Sequence, residues 1–88
     1  LTILDKSRFI LRDIFVKKGW NLIDNQDLSM YLFPTKNVNI NEVVENLLQN
    51  GLAVISGECF GVNNGFRITL PNDNKLLKEI IDILEKHL

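Results

Sequence analysis

The chain has 88 residues, 45% of them hydrophobic and 24% charged, and a formal net charge of −1. That length allows one modest core and excludes two domains, and the apolar fraction excludes an intrinsically disordered chain. The sequence pI of 5.7 argues against a dedicated nucleic-acid binder, and no apolar run approaches the ~20 residues needed to span a bilayer. Cys59 is the single cysteine, so no internal disulfide can form, and a reducing, cytoplasmic setting is expected. The chain begins at Leu1 rather than Met, and Asp5, Lys6 and Arg8 interrupt any signal-like run. The expectation is a trimmed start or a piece of a longer protein.

Residues 2–18 carry Ile3, Leu4, Ser7, Ile10, Leu11, Ile14 and Phe15 at three- and four-residue steps, one face of a helix. Thr2 with Asp5 resembles a capping box, and Gly19 is a natural stop. Residues 24–27 read as a polar turn. Residues 28–33 read as a strand, with Leu28, Met30 and Leu32 on one face and Ser29, Tyr31 and Phe33 on the other. Both faces are mostly apolar, which predicts cover on both sides, and Pro34 closes the strand.

Residues 39–50 form the clearest helix, with Asn39 as its cap and Val43, Val44, Leu47 and Leu48 as its apolar stripe, ended by Asn50-Gly51. Residues 52–55 read as a short strand. The glycine-rich loop 57–65 follows, with Asn63-Asn64-Gly65 as a tight-turn signal. Residues 66–70 alternate Phe66, Ile68 and Leu70 against Arg67 and Thr69. The last helix, 72–88, is held by Leu76, Leu77, Ile80, Ile81, Leu84 and Leu88. On its wet face Lys75–Glu79, Lys78–Asp82 and Asp82–Lys86 are spaced to pair. The order α-β-α-β-β-α predicts an α+β domain, with three helices on one face of a three-stranded, mainly antiparallel sheet. The opposite face is then bare and carries Arg67, Thr69 and Tyr31, the situation of a surface that meets a partner or another domain.

No catalytic constellation is complete. His87 is the only histidine, in a last helical turn where a cation suits the dipole, with no Cys or carboxylate arrangement to make a metal or acid–base site. Cys59 lacks a Cys-x-x-Cys partner and reads as a semi-buried loop thiol. Gly57-Glu58-Cys59-Phe60-Gly61 matches no phosphate-binding fingerprint and reads as a hairpin loop with Phe60 as an inward anchor. Arg8, Arg12, Lys17 and Lys18 are interleaved with acids and read as a solvated face. Arg67 stands out. It sits mid-strand on a rigid backbone, and a guanidinium there can bind a carboxylate through two parallel hydrogen bonds, a geometry that lysine does not reproduce. From spacing alone a solvated surface arginine is the better reading, because most arginines are exposed.

In order along the chain come Tyr31-Leu32-Phe33-Pro34, the helix to Asn50-Gly51, Leu52-Ala53-Val54-Ile55, Gly57-x-x-Phe60-Gly61, Phe66-Arg67-Ile68-Thr69 and a final helix. This series resembles the C-terminal small domain of class I/II aminotransferases, fold-type I enzymes that depend on pyridoxal phosphate. The resemblance implies that Arg67 binds the α-carboxylate of an amino or keto acid. It implies that the chain packs on a large cofactor domain and, in a homodimer, lies near a second subunit. Ser56-Gly57 replaces the family's frequent Pro-Gly, and Asp27, Leu28 and Ser29 replace its small residues before the first strand. The Schiff-base lysine, the aspartate on the pyridine nitrogen and the phosphate-binding residues belong to the large domain, and no lysine here matches that motif. The resemblance therefore implies a fragment, residues 1–88, that holds no cofactor and is inactive alone, with pyridoxal phosphate in the full-length parent. The rival expectation is a free-standing regulatory or protein-interaction module that binds a partner or a carboxylate effector on its open sheet face. Neither reading involves nucleic acid or a membrane.

Overall fold

Helix α1, Ile3–Lys17, starts where Thr2 can cap it. The Asp5 carboxylate accepts from the Thr2 amide at 3.2 Å and hydroxyl at 2.9 Å, and the Thr2 hydroxyl accepts from the Asp5 amide at 3.1 Å. The bonds from the Thr2 amide and then its hydroxyl hold the Asp5 carboxyl below the usual carboxylate range. Gly19, at φ 86°, supplies the left-handed turn beyond the helix. The computed structural model describes residues 2–23 and 30–88 of the chain. Helix α2, Ile40–Gln49, is capped by Asn39, whose side chain accepts from the Glu42 amide at 3.3 Å, and Gly51 follows at φ 95°. Helix α3, Asn74–His87, starts at Asp73, whose carboxylate accepts from the Lys75 amide at 2.8 Å. Among the described residues no helix is long and apolar enough to cross a membrane.

The strands are short: β1 Asn21–Leu22, β2 Tyr31–Leu32, β3 Pro34–Thr35, β4 Ile55–Ser56 and β5 Phe66–Thr69. They make an antiparallel three-stranded sheet in the order β2-β5-β4 and a separate antiparallel pair, β1 with β3. The fold is α+β, as the sequence predicts. The element order is richer than expected because of the second pair.

Pro34 does not close a strand. It opens β3, opposite Leu22, where a missing N–H removes no necessary ladder bond. Its neighbour carries the pairing instead, the Phe33 carbonyl accepting from the Ile23 amide at 3.0 Å. The strand expected over 52–55 narrows to Ile55–Ser56, because the Leu52 amide is spent on the Leu47 carbonyl at 2.8 Å, closing α2. The polar turn expected over 24–27, with Leu28 and Ser29 of the expected strand, lies outside the described residues. Of the three charge pairs expected on α3, Asp82–Lys86 forms at 3.2 Å on an exposed surface, a contact of a few tenths of a kcal/mol.

One core joins the helices to the sheet. Leu11, Ile14 and Phe15 of α1, Leu47 of α2, and Leu77, Ile80 and Leu84 of α3 pack with Leu32, Phe66, Ile68 and Leu70. At its centre the rings of Phe15, Trp20 and Phe66 meet edge to face, with centroids 5.3–6.0 Å apart, a geometry that adds to the area they bury. Ser7 is fully buried in the stripe of α1 and donates to the Pro71 carbonyl at 2.8 Å, so its hydroxyl is satisfied. These contacts fix β5 from one side and leave its other side to the candidate site.

Candidate functional site

Strand β5 alternates as its sequence requires. Phe66 and Ile68 are buried, while Arg67 is half-buried and Thr69 exposed on the opposite face. The register sets Tyr31 opposite Thr69 and Ile55 opposite Arg67, so these four residues share the outer face. Tyr31 is thereby diagonal to Arg67, a separation that an aromatic and an arginine side chain can bridge. They do so: the guanidinium carbon lies 4.2 Å from the Tyr31 ring centroid. A second ring joins from outside the sheet, with Phe60 at 4.7 Å from the same carbon. Phe33 meets both rings edge-on, 6.4 Å from Tyr31 and 6.3 Å from Phe60.

Phe60 therefore does not anchor inward, as its loop position suggests. Residues Gly57–Phe60 form a 3₁₀ turn that lifts the ring onto the outer face, where it stays 41% exposed. A loop aromatic reads as core when nothing in its neighbourhood names a cation. The missed signal is the arginine seven residues on, whose guanidinium an aromatic face attracts. Cys59, on the same turn, is exposed rather than semi-buried.

The turn is held tightly. The Gly57 amide donates to the Gly65 carbonyl at 2.8 Å, and the Val62 amide donates to the Gly57 carbonyl at 2.8 Å. A Cβ on Gly57 would stand 2.6 Å from the Val62 oxygen and 2.7 Å from the Gly65 oxygen, whereas one on Gly61, at φ 73°, would meet nothing within 4 Å. Gly57→Ala is therefore expected to destabilise by about 2 kcal/mol or more through backbone overpacking. Gly61→Ala is expected to cost about 1 kcal/mol, from φ alone. Thermal unfolding of the two variants checks this order, and equal melting temperatures would contradict it.

Electrostatically Arg67 is a cation held against two aromatic rings. Its Nε is buried without a hydrogen-bond partner, and among the described residues no carboxylate reaches the guanidinium. The guanidinium lies over the Tyr31 and Phe60 rings, and an aromatic face leaves the N–H groups of an arginine available as donors. Those groups match a carboxylate in shape and charge.

The other sequence candidates are not brought to it. His87 ends α3, its carbonyl accepting from Asn46 at 3.3 Å. Among the described residues no group of His, Cys, Asp and Glu could hold a metal. On α1, Lys17 pairs with Asp13 at 2.9 Å, and that bond raises the Lys17 pKa.

A family model described as aminotransferase class I and II matches residues 2–84. The match spans nearly the whole chain, and the chain belongs to that family. The comparison with curated proteins gives no match.

Enzymes of this family use pyridoxal phosphate held on a lysine, which makes the lysines of this chain the test of fit. Lys17 and Lys86 are in ion pairs, and Lys6 donates to Asn74 at 3.2 Å. Lys18 donates to the Glu85 carbonyl at 3.1 Å, Lys36 to the Lys18 carbonyl at 2.9 Å, and Lys75 and Lys78 are exposed on α3. None of these lysines is buried. The residues present do not fit the cofactor.

Proposed function

We propose that this chain is the substrate-carboxylate-binding small domain of a pyridoxal-phosphate-dependent aminotransferase, transferring an amino group between an amino acid and a 2-oxo acid. The observation that carries this reading is the guanidinium of Arg67, carried on β5, packed against Tyr31 and Phe60 and without a carboxylate partner among the described residues. Family membership and this geometry support the same role. The guanidinium N–H groups donate two charge-assisted bonds to the α-carboxylate, each contributing about 1.5–3 kcal/mol. Binding there fixes the orientation of the α-carbon, which is what a positioning group contributes to catalysis. The misfit of its lysines to the cofactor supports a division of labour. The electron-accepting group resides on a large domain of the full-length protein, close to a second subunit of a homodimer, and residues 1–88 alone do not transaminate.

Titration of the full-length protein with propionate, followed by calorimetry, tests the site. Wild type is expected to bind propionate and not propionamide, which has the same shape without the charge. Arg67→Gln is expected to lose about tenfold or more in affinity, since each 1.4 kcal/mol is tenfold. Equal binding of propionate by wild type and Arg67→Gln would refute the role.

A further inference from the structure

Arg67 presents a carboxylate-binding edge only if its guanidinium is held in one orientation. Its own backbone does not achieve this, because several rotatable bonds separate the strand from the charge. Its buried Nε has no hydrogen-bond partner among the described residues to orient it either. What touches the guanidinium is aromatic: Tyr31 at 4.2 Å and Phe60 at 4.7 Å. Phe33 buttresses both rings edge-on. The two contacts come from different parts of the chain. Tyr31 sits on β2, which is paired to β5, whereas Phe60 closes the 3₁₀ turn that begins at Gly57.

From this we propose that Tyr31 and Phe60 are positioning residues. The Arg67 guanidinium lies over both rings, which restrict its orientation while its N–H groups stay available to a substrate carboxylate. The inference rests on the carboxylate role proposed above. An aromatic face attracts a guanidinium without competing for its N–H groups, so orientation is gained with no loss of donors. A carboxylate partner would orient the arginine equally well, but it would neutralise the charge that the ligand needs. Phe60 is the more informative of the two positions, because it lies outside the paired strands and its ring is partly exposed.

The test uses the full-length protein, with propionate as probe and propionamide as neutral control. Phe60→Leu keeps an apolar group on the turn and removes the π face. It is expected to bind propionate about fivefold more weakly, the scale of one cation–π contact, while Phe60→Tyr binds as wild type does. Loss with leucine and rescue with tyrosine together support positioning, because a merely apolar role would accept leucine. Wild-type affinity in Phe60→Leu, alongside a large loss in Arg67→Gln, overturns the positioning role and spares the carboxylate site. Wild-type affinity in Arg67→Gln overturns both. A second measurement does not depend on how the variants fold. In the wild-type protein the Arg67 Nε–H proton is expected upfield of ordinary arginines by ring current and slow to exchange with water. A free-arginine shift with fast exchange overturns the proposal.

Discussion

Replacing Arg67 by lysine in the full-length protein is expected to lower kcat/KM for its amino acid by about tenfold or more, carried mainly by KM, because 1.36 kcal/mol is already tenfold. Lysine keeps the charge, so long-range attraction survives. What it loses is the planar fork that meets both carboxylate oxygens at once. One charge-assisted bond of about 1.5–3 kcal/mol is thereby removed or misdirected. The rings of Tyr31 and Phe60 pack on a flat guanidinium, and a compact, strongly hydrated ammonium at the same place is held less well. Arg67→Gln, which removes the charge as well, is expected to cost about a hundredfold or more. Steady-state kinetics over a range of amino-acid concentrations checks both variants, and an unchanged kcat/KM in Arg67→Lys removes the residue from substrate binding. Thermal unfolding serves as the control, because Arg67 lies off the core and its replacement leaves the buried face of β5 intact.

The second large effect is on stability. Phe66 precedes Arg67 on the same strand and faces the opposite way, 1% exposed, with the rings of Phe15 and Trp20 at 5.9 and 5.3 Å. Phe66→Ala is expected to cost about 3–5 kcal/mol through lost transfer energy and the cavity left behind. A chain of this length has roughly 4–13 kcal/mol in total, so the variant forfeits a large fraction of its stability. Phe9→Ala is the contrast: the same chemical change at a residue 77% exposed on α1 is expected to stay within about 0.5 kcal/mol. Urea midpoints at constant m-value measure both. A loss below about 1 kcal/mol for Phe66→Ala would mean that the three-ring cluster is not the centre of the core. The two predictions share one strand. Phe66 and Ile68 lock β5 from inside, and that lock allows Arg67 to present its charge from a fixed point outside.

Much of this was legible in the chain. The caps at Thr2 and Asn39, the stripes of the helices and the alternation of Phe66, Arg67, Ile68 and Thr69 are local patterns, set by residues within a turn or two of one another. Alternation alone puts Arg67 on the face away from the core, and the ordered series from Tyr31 to Thr69 carries the family resemblance. Other features depend on partners distant in sequence. Pro34 is a fine strand terminator until Leu22 comes to lie opposite it. A two-residue strand such as Asn21–Leu22 has no period to read. Phe60 is apolar in a loop, and nothing local says whether it turns toward the core or toward a cation.

Local residue patterns set the class of the fold, the helices and their ends, the inward and outward faces of β5, and the outward placement of Arg67. These follow from hydrophobic periodicity and backbone capping, which act over a few residues. The contact of Arg67 with Tyr31 and Phe60, and the lack of a carboxylate partner for it among the described residues, arise only in the folded chain. That arrangement needs strand pairing between residues 31 and 69 and a 3₁₀ turn folded back on Gly65. The cation–π contacts exist only once those distant segments have met, because their energy depends on the distance between groups and not on their separation along the chain.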